Sequence, residues 1–125
     1  MDKYNNKKVI VIDDDKLNLR IAAKIVSEYV EDLDQAESGY ELIEKVNSGS
    51  TYDLIITDDM MPGKSGTETM RYLKNDLGIK IPIVVLTGNT VDGAKEHYLN
   101  AGFDYYLEKP INREEVAKVI YMYLR

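Results

Sequence analysis

The sequence predicts an α/β fold, a doubly wound sheet of five parallel strands with helices on both faces. Three observations lead to it. Short apolar runs alternate with amphipathic stretches five times along the chain, the order that a parallel sheet joined by right-handed crossovers requires. The runs Val9–Ile12, Leu54–Thr57 and Ile81–Thr87 carry almost no polar residue, so both faces of those strands are covered. Finally, capping and stop signals divide the chain into elements joined by turns of a few residues, with no repeat, linker or low-complexity tract between them.

Each element has its own warrant. Val9-Ile10-Val11-Ile12 is a β-branched run too short for a helix and suited to a buried strand. Asp13 to Asp15 end it, and Asp15 is placed to cap the first helix, where Leu17, Ile21, Ile25 and Tyr29 recur every fourth residue beside Ala22 and Val26. Leu33 to Glu37 reads as a weak edge strand. Ser38 and Glu41 match a capping box for a helix striped by Leu42, Ile43 and Val46 and ending near Gly49. Leu54–Thr57 follows as the third strand. Pro62 to Gly66 make a loop, Ser65 and Glu68 a second capping box, and Met70, Leu73 and Leu77 a third helix stopped by Gly78. Ile81–Thr87 is the fourth strand, with Pro82 at its entry where a missing N–H is tolerated. Ala94, Tyr98 and Ala101 mark a fourth helix closed by Gly102, Phe103–Leu107 a fifth strand, and Asn112 with Glu115 caps a last helix striped by Val116, Val119, Ile120 and Tyr123.

Composition narrows the function classes. The chain has 125 residues, 44% hydrophobic and 30% charged, the balance of an ordinary globular domain able to bury its own core. Residues 1–125 read as one domain. There is no cysteine, which excludes disulfides, thiolate metal sites and thiol chemistry and suits the cytoplasm. The net charge of −6 argues against nucleic acid as a direct partner. No stretch has the length of a membrane span, and Met1 to Lys8 lacks the apolar core of a signal peptide. The single histidine, His97, lies in a charged helical stretch and reads as solvated surface.

The chemistry collects at the carboxyl ends of the strands, where open α/β sheets keep their working groups. Strand one delivers Asp13 and Asp14, strand three Asp58, strand four Thr87, and the end of strand five Lys109. Three carboxylates brought together repel, and a hard divalent cation held by oxygens relieves them. A lysine, a threonine hydroxyl and a glycine N–H are donors suited to a phosphoryl group, whose transfer needs little beyond positioning and charge neutralisation. An aspartate beside the metal can be the nucleophile and become an acyl phosphate.

With these residues in place the chain resembles a response regulator receiver domain from Lys7 to Leu124. The resemblance rests on Val11-Ile12-Asp13-Asp14-Asp15, on Asp58-Asp59-Met60-Met61-Pro62 with Gly66, on Leu86-Thr87-Gly88, on Tyr106 and on Lys109-Pro110. Each is weak alone; in this order and at strand ends they are specific together. It implies a flavodoxin-like strand order 2-1-3-4-5 and Asp58 as phosphoacceptor. It implies Asp13 and Asp14 as an acidic pocket, with Asp14, Asp58 and the main-chain carbonyl of Met60 as ligands of Mg²⁺. Thr87 and Lys109 would hold the phosphoryl oxygens, and the Lys109–Pro110 bond would be cis. Thr87 and Tyr106 would form the switch, Tyr106 swinging in from a solvent-facing rotamer. The donor would be a phosphohistidine on a sensor histidine kinase or a histidine phosphotransfer protein. A downstream protein, an output domain or a second copy in a phosphorylation-dependent dimer would read the surface of helix four, strand five and helix five. Such a protein is a signalling module that catalyses only its own aspartyl phosphorylation and dephosphorylation.

Several residues carry a plainer reading. Asp59 reads as a solvated loop acid, the Met60-Met61 pair as packing with function confined to the Met60 backbone, and Met60 with Asn89 as residues that tune phosphate lifetime. Two other functions compete. A haloacid-dehalogenase-type phosphatase shares the Asp nucleophile, Thr, Lys and Mg²⁺, but Leu17 replaces the residue expected after its Asp13-x-Asp15 motif and the chain is short for that fold. A receiver-like scaffold that ignores phosphate is disfavoured because all five site residues are present. Nucleotide binding fails for lack of a phosphate loop after the first strand.

Overall fold

The computed structural model describes residues 3–125; Met1 and Asp2 lie outside the described residues. Five parallel strands stand in the order β2-β1-β3-β4-β5. They are β1 (Tyr4–Ile12), β2 (Val30–Ala36), β3 (Leu54–Thr57), β4 (Ile83–Thr87) and β5 (Tyr105–Glu108). Between and after them come α1 (Lys16–Ser27), α2 (Gly39–Asn47), α3 (Gly66–Arg71), α4 (Ala94–Ala101) and α5 (Arg113–Leu124). The α/β fold and its flavodoxin-like strand order are as expected.

Alternation along the strands divides the core in two. Val9, Val11, Leu54, Ile56, Val84, Leu86 and Leu107 face α1 and α5, while Ile10, Ile12, Ile55, Ile83, Val85 and Tyr106 face α2, α3 and α4. This is the pattern of a sheet covered on both sides, in which successive side chains point to opposite faces. In-register pairing of Ile12 with Ala36 and with Thr57 brings Asp13 and Asp58 to the same edge.

Capping residues behave largely as the sequence indicates. Asp15 accepts from the N–H groups of Leu17 and Asn18 at 2.9 and 3.1 Å. The Ser65–Glu68 box closes in both directions, and Asn112 accepts from Glu115 N–H at 3.1 Å. At Ser38 only half of the box forms, because the Glu41 carboxylate accepts from Glu37 N–H at 2.8 Å instead.

Four expectations are corrected. Strand boundaries move. β1 begins at Tyr4, whose N–H donates to the Tyr29 carbonyl at 2.9 Å. β2 begins at Val30, a buried residue outside the expected 33–37 run. The third helix is not α-helical throughout: after Arg71 it widens into a π turn, Tyr72–Asp76, closed by Leu77 N–H on the Tyr72 carbonyl. That turn buries Leu73 and lets the Lys74 ammonium donate to the Gly102 carbonyl at 2.7 Å and to Asp104 at 2.9 Å. The α1 stripe holds at Ala22, Ile25 and Val26 and fails at its start. Leu17 is 63% and Ile21 44% exposed, while Leu19, Ala22, Ala23, Ile25 and Val26 are buried. The Met pair splits as well, Met61 buried and Met60 facing solvent.

The α1 correction is open to test by unfolding in denaturant. Leu19→Ala is expected to cost about 2–5 kcal/mol, as for other buried leucines. Leu17→Ala should stay within about 0.5 kcal/mol of the parent, the surface range. Equal losses at the two positions would put Leu17 back in the core stripe.

Candidate functional site

Each functional side chain leaves the sheet where a strand stops. Asp13 and Asp58 follow β1 and β3, and the Asp58 N–H is fixed on the Ile12 carbonyl at 2.9 Å. Both are buried, 2% and 6% exposed, whereas Asp14 is open to solvent. Carboxylate oxygens of Asp13, Asp14 and Asp58 all lie within 4.8 Å of one another. Lys109, beyond β5, reaches across the edge, its Nζ 3.1 Å from Asp13 Oδ2 and 3.4 Å from Asp58 Oδ1. The Lys109–Pro110 bond is cis, as the resemblance implies.

One lysine does not neutralise three acids. Burial, with the charge of Asp13 added, holds the Asp58 carboxyl above its ordinary value; the opposing charge of Lys109 does not overcome them. Burial works against the Lys109 ammonium, but its hydrogen bond to Asp13 and the charges of Asp58 and Asp13 outweigh that and raise its value. Asp13 is engaged at both oxygens, Oδ1 by Asp15 N–H at 2.9 Å and Oδ2 by Lys109. A set made only of oxygens, one of them on an exposed side chain, has the chemistry that a hard divalent cation takes.

The remaining residues frame this cluster. Thr87 is fully buried at the end of β4, its Oγ1 accepting from Asn89 N–H at 3.1 Å. Tyr106 is 8% exposed, its hydroxyl donating to the Asn89 carbonyl at 2.7 Å and its ring stacked on Tyr98 at 5.9 Å. It therefore sits inward rather than in the expected solvent-facing rotamer, because ring and hydroxyl both find partners there. His97 is exposed, as expected. Asp59 is no solvated loop acid: it is half-buried, and three donors from α3 and α4 converge on it. Sequence reasoning also missed the cavity of about 130 Å³ beside Lys109, lined by Asp13, Asn18, Ile21, Leu86 and Pro110 among others.

A carboxyl raised above its unfolded value binds its proton more tightly in the folded chain. Stability without metal therefore falls as pH rises from the ordinary carboxylate value through the raised one, and the loss persists at neutral pH. Asp58→Asn removes the penalty. In chelator at pH 7 the variant should melt higher than the parent, at roughly 4 °C per kcal/mol relieved. The gap should close as the pH is lowered until Asp58 is protonated in both states. A lower melting temperature for the variant at pH 7 would contradict this account.

Comparison with known proteins agrees with the geometry. The family model for the response regulator receiver domain matches residues 9–121. The chain is 33% identical over 125 residues to the transcriptional regulatory protein ResD of Bacillus subtilis, covering all of this chain and 51% of that protein. It is 32% identical over 122 residues to hybrid signal transduction histidine kinase L of Dictyostelium discoideum, covering 93% of this chain and 7% of that one. The chain thus spans about half of one relative and a small part of the other. Among solved structures, the receiver domain of the Francisella response regulator 1452 superposes with a TM-score of 0.83 at 31% identity, over 94% of this chain and 97% of that one. Among the described residues no helix is long and apolar enough to cross a membrane. By fold, by the acids and lysine at its strand ends and by these likenesses, the chain belongs to the response regulator receiver domain family, a signalling module of two-component phosphorelays.

Proposed function

We propose that this receiver accepts a phosphoryl group on Asp58 from a phosphohistidine, carried by a sensor histidine kinase or a histidine phosphotransfer protein. The observation that supports it most is the position of Asp58: buried, at the end of β3, 3.4 Å from the Lys109 ammonium and clustered with Asp13 and Asp14. Relatives that carry this domain include a hybrid histidine kinase and a transcriptional regulator, which is the company such a donor and such an output would keep.

The residues divide the work. An Asp58 oxygen forms the new P–O bond as the P–N bond to the donor imidazole breaks, and the imidazole departs with the bonding pair and takes up a proton. Lys109 draws developing charge off the phosphoryl oxygens and holds Asp13 in place. Thr87, at the end of the neighbouring strand, offers its hydroxyl to another of those oxygens. Asp14, Asp58 and the main-chain carbonyl of Met60 would hold Mg²⁺, with Asp13 engaged behind them. When bound, the ion supplies charge neutralisation and fixes the phosphoryl group for in-line displacement. Exposed Ile21, which lines the cavity with Pro110 and Lys109, and exposed Leu17 one turn before it on α1 give the donor protein an apolar seat near the acceptor.

Output follows from the added charge, about −1.5 to −2 at pH 7. Thr87 drawn toward the phosphoryl group leaves Asn89 N–H, and the loop between β4 and α4 moves with it. The surface formed by α4, β5 and α5 then differs between states. Val91, Leu99, Tyr121 and Met122 lie exposed in and beside it, available to a downstream protein, an output domain or a second copy.

The test is mass spectrometry after incubation with Mg²⁺ and acetyl phosphate. One phosphoryl adduct is expected, cleaved by hydroxylamine, absent with chelator and absent in Asp58→Asn. A label that survives Asp58→Asn would move the acceptor elsewhere.

A further inference from the structure

Asp59 stands next to the acceptor, yet its carboxylate is not one of the clustered acids and is engaged instead by donors from α3 and α4. Oδ1 accepts from the Thr67 N–H at 2.9 Å and from the Thr67 hydroxyl at 2.8 Å, at the start of α3. Oδ2 accepts from the Tyr98 hydroxyl on α4 at 2.9 Å. The backbone carbonyl of the same residue accepts from Met61 and Gly66 N–H, both at 3.0 Å. Five hydrogen bonds thus converge on one residue of the loop that follows β3. Gly66 lets α3 come this close, since a Cβ there would collide with the Asp58 carbonyl.

Tyr98 is the other half of the arrangement. It is 2% exposed, so its hydroxyl needs a protein acceptor, and Asp59 provides one. Its ring packs edge-on against Phe103 at 5.9 Å and stacks on Tyr106 at 5.9 Å with planes 25° apart. Tyr106 in turn donates to the Asn89 carbonyl, and Asn89 N–H donates to Thr87 Oγ1. The bond from Tyr98 to Asp59 closes this chain back onto the acceptor's own loop, by a route separate from Thr87.

We propose that Asp59 is a positioning residue, acting through two attachments: it holds the loop carrying Asp58 and the Met60 carbonyl against α3, and through Tyr98 it ties α4 to that loop. The strap presents the Tyr98 ring as the surface on which Tyr106 lies inward. It therefore favours the inward arrangement and, on the reading of the site proposed above, phosphoryl binding at Asp58. An amide keeps both attachments, its oxygen accepting from Thr67 and its NH2 donating to the Tyr98 hydroxyl, so Asp59→Ala is the change that removes them.

Tyr98→Phe is the cleanest variant, removing the hydroxyl and leaving both ring contacts. Amide hydrogen exchange of the unphosphorylated protein is compared for Tyr98→Phe, Asp59→Ala and the double variant. Exchange across Ala94–Ala101 should rise about tenfold in Tyr98→Phe relative to Arg113–Leu124, the scale of one lost hydrogen bond. The double variant should add nothing over Asp59→Ala, since both single changes break the same bond. No rise in α4, an equal rise in α5, or additive effects would overturn the strap. Affinity for beryllofluoride with Mg²⁺ is measured in parallel and should weaken several-fold in Tyr98→Phe; an unchanged affinity would overturn the positioning role. If the parent itself binds no beryllofluoride, the phosphoacceptor reading fails, and the exchange comparison still decides whether the strap exists.

Discussion

Mutual repulsion of Asp13, Asp14 and Asp58 is the constraint around which this domain is arranged. Parallel pairing of β1 with β3 puts two of these acids side by side at one sheet edge, and the sequence adds a third. In water they would separate; here Asp13 and Asp58 are buried and the strands do not let them. Lys109 relieves part of the repulsion at 3.1 and 3.4 Å, yet the Asp58 carboxyl still lies above its ordinary value. The fold therefore gives up stability at its working edge. A cation can draw on that unrelieved charge, which a fully paired site would not leave available.

The site was more legible in the sequence than the elements around it. Strand ends are easy to read because an apolar run that stops on a carboxylate marks both the end of burial and the start of chemistry, as at Ile12–Asp13 and Thr57–Asp58. Caps were legible for the same local reason: Asp15, Ser65 and Asn112 satisfy donors two or three residues away. Helix phase was harder. On α1, Leu17 and Ile21 fit the four-residue recurrence as well as any core residue, and pattern alone cannot separate an apolar stripe that packs from one left facing solvent. What decides it is that Leu19, Ala22 and Val26 meet the sheet, a fact of placement.

Interactions between distant residues were out of reach. Nothing local to Asp59 announces a tyrosine 39 positions later on α4, and a charged residue in a loop reads as solvated by default. Tyr106 shows the same limit. Its place before Lys109 and Pro110 suggested a switch, but its inward pose depends on the Tyr98 ring and the Asn89 carbonyl, which the topology brings near. The burial of Val30 likewise comes from its pairing with the start of β1, across a register shift.

The widened turn at Tyr72–Asp76 gives the domain a rotational setting as well as a length. Each residue on a helix turns the chain by about 100°, so excising one residue here would restore regular winding and swing everything downstream around the axis. Leu73 and Lys74 serve opposite ends of one job, the first sunk in the core and the second bracing the turn between α4 and β5 through Gly102 and Asp104. The extra residue thus acts as a gear tooth: it sets the angle at which the second half of the sheet is handed on to the strands that carry Thr87 and Lys109.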